Sequence, residues 1–183
     1  MGLNYEAMKK GAGTCGVFLE TGSYKGDGIQ FAFDVGFKRV ISIELGDWAF
    51  GVCTDRFKDK IASGQLILVK GDSLAMMPEL IKMAGDDRIM FYLDAHHYDD
   101  VSAIGEKWCP LVEEINAIRD SGRKDHVIMV DDITCAQKGE FMFPPEKEIL
   151  DALLQVNPEY RMTYEDCTIR PKDLLIAWPK DIV

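Results

Sequence analysis

The sequence predicts an α/β protein built on a doubly wound, mostly parallel seven-stranded sheet with an antiparallel edge strand. Three observations carry that expectation. Seven short apolar runs recur along the chain without clean polar/apolar alternation, as strands buried on both faces do. Segments with helical character separate the first six runs, at spacings that suit right-handed crossovers. The last two runs have no such segment between them and are expected to pair as an antiparallel hairpin at one edge.

The runs are "GVFLE" (16–20), "RVISIE" (39–44), "QLILVKGD" (65–72), "RIMFYLD" (88–94), "HVIMVDD" (126–132), "YRMTYED" (160–166) and "DLLIAW" (173–178). Helices are expected over 27–36, leaving a glycine loop, and over 47–62, with Asp47 at the start and Gly64 just past the end. A third is expected over 73–84, beginning from a good N-cap. A fourth spans 110–121, where Leu111, Ile115 and Ile118 share a face behind a first-turn proline. A fifth spans 145–156. The stretch 133–145, "ITCAQKGEFMFPP", reads as an apolar loop. No repeat, low-complexity tract or linker divides the 183 residues, so residues 1–183 are expected to form a single domain.

The net charge of −10 argues against a nucleic-acid backbone as the main partner, because phosphate binding relies on Lys and Arg. Cys15, Cys53, Cys109, Cys135 and Cys167 are scattered, without a CxxC pair, and read as free thiols in a reducing compartment. The opening "MGLNYEAMKK" lacks the apolar core of a secretory signal, and no apolar run reaches membrane-spanning length. The expectation is a cytoplasmic protein without a membrane partner.

The stretch "FLETGSYKGDGIQ" (18–30) places Glu20, Gly22, Gly26 and Gly28 at the first strand-to-helix turn. In an open α/β sheet, ligands bind beyond the carboxyl ends of the strands, where the strand order reverses. Glycines there let the backbone turn sharply and approach a ligand. A dinucleotide site would read GxGxxG; the spacing here differs, and an acid leads it.

This stretch resembles motif I, (E/D)xGxxxGxG, of the class I S-adenosylmethionine (SAM)-dependent methyltransferases. Other motif positions follow in the family's order, and the resemblance runs from about Val17 to Trp178. It implies a Rossmann-like fold and SAM as cofactor, held by Glu20, Gly22, Ser23, Tyr24, Gly26 and Gly28. Glu44 would bond the ribose hydroxyls, Asp72 and Ser73 would lie by the adenine, and Asp94 would end the fourth strand. A carboxylate accepting two hydroxyls makes charge-assisted hydrogen bonds, and an acidic rim suits the cationic sulfonium and ammonium of SAM.

A second constellation joins "YLDAHHYDD" (92–100) to "VIMVDDIT" (127–134). Two neighbouring strands end in carboxylates, so Asp94, Asp131 and Asp132 would supply oxygen ligands to a hard divalent cation such as Mg²⁺. The plainer reading of Asp131 and Asp132 is a strand-end turn satisfying local backbone donors. The arrangement is similar to that of the metal-dependent O-methyltransferases acting on sugars of macrolide and aminocoumarin antibiotics. That likeness implies a metal held by Asp94, Asp131 and Asp132, with a general base two positions after Asp94. The base is acidic in that group; here the position is His96, suited to the task by its pKa, with His97 as competitor.

The implied reaction is methyl transfer to a small-molecule hydroxyl. No "NPPY"-type tetrad follows the fourth strand, which weighs against methylation of nucleobase or glutamine nitrogens. Two alternatives stay open: a SAM methyltransferase without metal, and a SAM-binding module without turnover. Residues 98–109, with Trp108, and 133–145 are expected to contribute to the substrate pocket. Phe141, Met142 and Phe143 would cover the pocket or meet a second copy in a homo-oligomer, the plainer reading being that they pack on the protein's own core.

Overall fold

The computed structural model describes residues 2–96, 103–140 and 142–182. Its core is a seven-stranded sheet: β1 (Val17–Thr21), β2 (Val40–Glu44), β3 (Leu66–Lys70), β4 (Ile89–Leu93), β5 (Val127–Val130), β6 (Arg161–Glu165) and β7 (Leu174–Trp178). The spatial order is β3-β2-β1-β4-β5-β7-β6. β1 to β5 pair in parallel, and β7 runs antiparallel to both β5 and β6. Six of the seven strands fall inside an apolar run read from the sequence, and β1 runs one residue past its own, to Thr21.

The unalternating runs follow from burial on both sides. Val17, Leu19, Ile41, Ile43, Phe91 and Ile128 face one apolar layer, which α5 (Ser73–Ala84), α6 (Leu111–Asp120) and α8 (Glu146–Val156) complete. Phe18, Val40, Met90, Tyr92 and Met129 face the other, covered by α1 (Tyr5–Ala12), α2 (Asp27–Val35) and, through Cys53 and Phe57, the region of α3 (Asp47–Arg56) and α4 (Lys58–Ala62). Successive side chains on a strand point to opposite faces, so both parities must be apolar.

Three helical expectations are corrected. The segment 47–62 is two helices: the ladder breaks at Phe57 (φ −113°, ψ 20°), whose ring is buried. The stretch read as a loop over 133–145 begins with a short helix, α7 (Ile133–Lys138), which closes on Gly139 in the left-handed conformation. Residues Tyr5–Ala12, not foreseen as structured, form α1, capped by the Asn4 side chain accepting from the Ala7 N–H. Gly11 lets this helix lie directly on Met90 of β4.

All five cysteines are free thiols. Among the described residues, no helix is long and apolar enough to cross a membrane.

Candidate functional site

The strand order reverses between β1 and β4, and a cavity of about 240 Å³ opens there at the carboxyl edge of the sheet. That is where an open α/β sheet receives ligands. Gly22, Tyr24, Glu44, Asp72, Ser73, Asp94, His96 and Asp132 line it, so most of the residues read from sequence converge on one space.

The glycine loop works by close approach of chain to chain. Gly22 has φ +85°, and a β-carbon on it would lie 2.4 Å from the main-chain oxygen of Asp94. Gly26 caps α2 at φ +80°, and a β-carbon there would strike the buried ring of Phe57. Tyr24, between them, holds the uncommon φ of +47°. Its N–H donates to Glu44 Oε2 at 2.7 Å, while Glu44 Oε1 accepts from the Gly46 N–H at 2.6 Å. Glu44 therefore shapes the cradle while remaining in the cavity wall.

Glu20, Ser23, Gly26 and Gly28 are not among the lining residues; the buried Glu20 and Ser23 support the cradle from beneath. Ser42 donates to Glu20 Oε2 at 2.6 Å and sits 2.6 Å from the Ser23 hydroxyl. Burial drives the Glu20 carboxyl well above the usual carboxylate range, with Asp94 and Glu44 adding to the shift against the Ser42 hydrogen bond. Glu20, implied above to hold the cofactor, is fully buried and absent from the cavity wall, so it offers no exposed atom for a direct contact. Asp72 caps α5 through the Leu74 N–H and accepts the Glu106 N–H at 2.9 Å, tying the 103–106 segment over the cavity.

At the far wall three side chains meet. One ligand atom each from Asp94, His96 and Asp132 lies within 4.8 Å of the others. His96 Nε2 is 3.0 Å from Asp132 Oδ2, and Nδ1 is 3.5 Å from Asp94 Oδ1. The Phe143 ring packs on His96 at 5.0 Å. Burial opposes a charged His96, but the Asp132 hydrogen bond and the Asp94 charge outweigh it and raise its pKa. The same His96 bond holds Asp132 low, whereas burial and the charge of Asp131 push Asp94 well up.

The converging set differs from the sequence reading by one member. Asp131 turns inward: its Oδ2 accepts from the Tyr92 hydroxyl at 2.6 Å and the Gly2 N–H at 2.9 Å. Asp132 takes the left-handed conformation (φ +52°), which Asp tolerates better than most residues, and this turn sends neighbouring carboxylates in different directions. The cluster of two carboxylates and an imidazole fits a divalent cation: the carboxylates suit magnesium or manganese, and the imidazole nitrogen suits first-row transition ions such as iron or zinc. His97 and Phe141 lie outside the described residues.

Behind His96, Glu114 and Asp131 border a small void together with Cys109 and Phe143. Glu114 Oε2 accepts from the Thr21 hydroxyl at 3.3 Å, and Thr21 also receives the Asp94 N–H. Burial raises Glu114 to about 7. Sequence reading missed Glu114, and it missed Ile169 and Arg170 in the β6–β7 turn, which also line the cavity. The sheet order held a signal for the latter pair: β6 runs parallel to β5, so the turn after it falls on the ligand edge.

No protein-family model matches the chain, and no curated protein matches it. Solved structures do. An O-methyltransferase from Bacillus cereus in complex with S-adenosylhomocysteine (SAH) superposes with a TM-score of 0.65 at 12% identity, over 96% of this chain and 79% of that one. The O-methyltransferase TomG from Streptomyces achromogenes, involved in tomaymycin synthesis and bound to SAM, gives 0.59 at 13%, over 95% and 76%. A precorrin-6y C5,15-methyltransferase from Geobacter metallireducens gives 0.59 at 14%, over 96% and 86%. At such identities the likeness speaks for architecture, and in architecture this chain has the Rossmann-like fold of class I SAM-dependent methyltransferases.

Proposed function

We propose that this protein is a SAM-dependent methyltransferase that methylates a hydroxyl of a small molecule. The observation that carries the reading is the shared cavity: a cradle of Gly22, Tyr24 and Glu44 on one side, and Asp94, His96 and Asp132 on the other. SAM, when bound, supplies an electrophilic methyl group on a sulfonium. The chain's own residues do the rest. Glu44 presents a carboxylate at the end of β2 for ribose hydroxyls, and Gly22 keeps the floor open. His96 takes the proton of the substrate hydroxyl, oriented by Asp132 and Asp94, and Phe143 shields that end from water. A divalent cation, where one binds, would be held by Asp94, His96 and Asp132 and would lower the hydroxyl's pKa; His96 would then be a ligand, and its role as base belongs to the metal-free site.

The test is SAH release from SAM across a panel of catechols and sugars, with magnesium, with manganese and with EDTA. Turnover with a hydroxyl acceptor supports the reading; loss of turnover in EDTA, restored by either ion, supports the metal. Tight SAM binding without turnover on any acceptor would favour a cofactor-binding module instead.

A further inference from the structure

We infer that the hydroxyl substrate carries an anionic arm, a carboxylate or phosphate, received by Arg170, and an apolar body that rests on Ile169. The inference rests on the methyltransferase reading and deepens it. Ile169 and Arg170 are adjacent in the turn between β6 and β7, and both line the cavity. That turn is internally braced. The Cys167 N–H donates to the Arg170 carbonyl at 2.9 Å, the Arg170 N–H to Cys167 Sγ at 3.2 Å, and the Lys172 N–H to Asp166 Oδ1 at 3.0 Å. Bracing of this kind holds a side chain in place over the cavity mouth.

The sheet order separates the two halves of the cavity. Gly22 and Asp72 follow β1 and β3 and Glu44 ends β2, whereas Arg170 follows β6, on the other side of β4 and β5. Arg170 therefore stands beyond the Asp94–His96–Asp132 wall, on the side away from the cradle. Lys107 also lines the cavity, but its ammonium is matched by Glu113, and its loop is tied to Asp72 on the cradle side. Among the described residues, Arg170 is thus the guanidinium or ammonium group of the substrate half.

Its guanidinium is only loosely engaged by acids. Nη1 is 3.5 Å from Asp132 Oδ1 and 3.5 Å from Asp173 Oδ2, both long for a charge-assisted hydrogen bond. The Cys135 side chain supplies a further, weaker partner. A guanidinium offers five N–H donors in a planar fork that matches a carboxylate or phosphate, and two long contacts to one nitrogen do not exhaust it. Arg170 is 44% exposed at its side chain, and Ile169, at 64%, is the most exposed large apolar residue described. An apolar side chain so exposed, beside a cation and above a hydroxyl-activating wall, fits one ligand of matching parts. That ligand would carry an anion, an apolar body and a hydroxyl, in that order inward.

The experiment titrates the protein, saturated with SAH, with 3,4-dihydroxybenzoate and with 3,4-dihydroxybenzyl alcohol, which differ in the charged arm. The acid is expected to bind about tenfold tighter than the alcohol. Arg170→Gln should erase most of that preference, and Arg170→Lys should restore part of it, because the charge returns without the fork. Equal affinities in the unaltered protein, or no binding of either probe, would overturn the inference. So would an Arg170→Gln variant that weakens both probes alike. An SAH affinity that falls as far as that of the acid would assign Arg170 to the cofactor's carboxylate, which also overturns it. Failure of SAH itself to bind would instead overturn the underlying methyltransferase reading.

Discussion

Gly22 and Asp94 are locked together at the mouth of the sheet: a β-carbon on Gly22 would stand 2.4 Å from the Asp94 carbonyl oxygen and 3.2 Å from the Ala95 α-carbon. The loop after β1 and the end of β4 therefore pack main chain on main chain, with no room for a side chain at Gly22. The positive φ and the contact with backbone act together, so no side-chain shift can relieve them. Gly22→Ala is expected to cost about 2–4 kcal/mol of stability and to displace Asp94. Denaturant unfolding checks the first effect, and loss of SAH affinity the second.

Glu44 holds the cradle together. Its carboxylate accepts two backbone N–H groups, those of Tyr24 and Gly46, one on each oxygen. Glu44→Gln replaces one acceptor with an amide N–H facing a donor, and Glu44→Ala removes both acceptors. SAH affinity should fall about 10- to 100-fold in Glu44→Gln and further in Glu44→Ala, read by calorimetry.

Glu114 should make stability fall with rising pH. Its folded pKa of about 7 lies above the ordinary value of 4.5, so the folded state holds a proton that the unfolded state has released between those values. The contribution is therefore full below about 4.5 and lost as pH rises through about 7. Glu114→Gln cannot ionise. Relative to the unaltered protein, the variant should gain roughly 2 kcal/mol between pH 5 and pH 8. Unfolding curves of both proteins at the two pH values give that difference; a constant offset would contradict the burial argument.

His96 must be neutral to accept a proton, and its partners raise its pKa above 6.5. Turnover is accordingly expected to climb with pH through a midpoint above 6.5. His96→Gln should lower kcat about 10²- to 10⁴-fold while SAH affinity falls far less. Rates measured on both proteins across pH 5.5 to 9 test this.

Much of this was legible in the sequence, for identifiable reasons. Strand runs apolar in both parities announced a sheet covered on both faces, and Glu44, Asp72 and Asp94 were legible because strand ends deliver side chains to a known edge. Asp131 and Asp132 were not separable, because their directions depend on one left-handed residue that no composition signals. α7 hid in a stretch whose β-branched and aromatic residues and closing prolines read as a loop. α1 is a single amphipathic helix of eight residues with Gly11, a poor helix former, in its last turn, and that glycine proves to be its contact with β4. Arg170 was invisible because a turn residue gains meaning only when the sheet order brings its turn to the ligand edge.

The cofactor cradle is the centre of the account, and calorimetric titration of SAH into the purified protein tests it most directly, with Glu44→Ala measured alongside. The cradle predicts micromolar, one-to-one binding that Glu44→Ala abolishes. Absence of binding in protein shown by mass spectrometry to carry no co-purified cofactor would contradict it, as would binding that Glu44→Ala leaves intact.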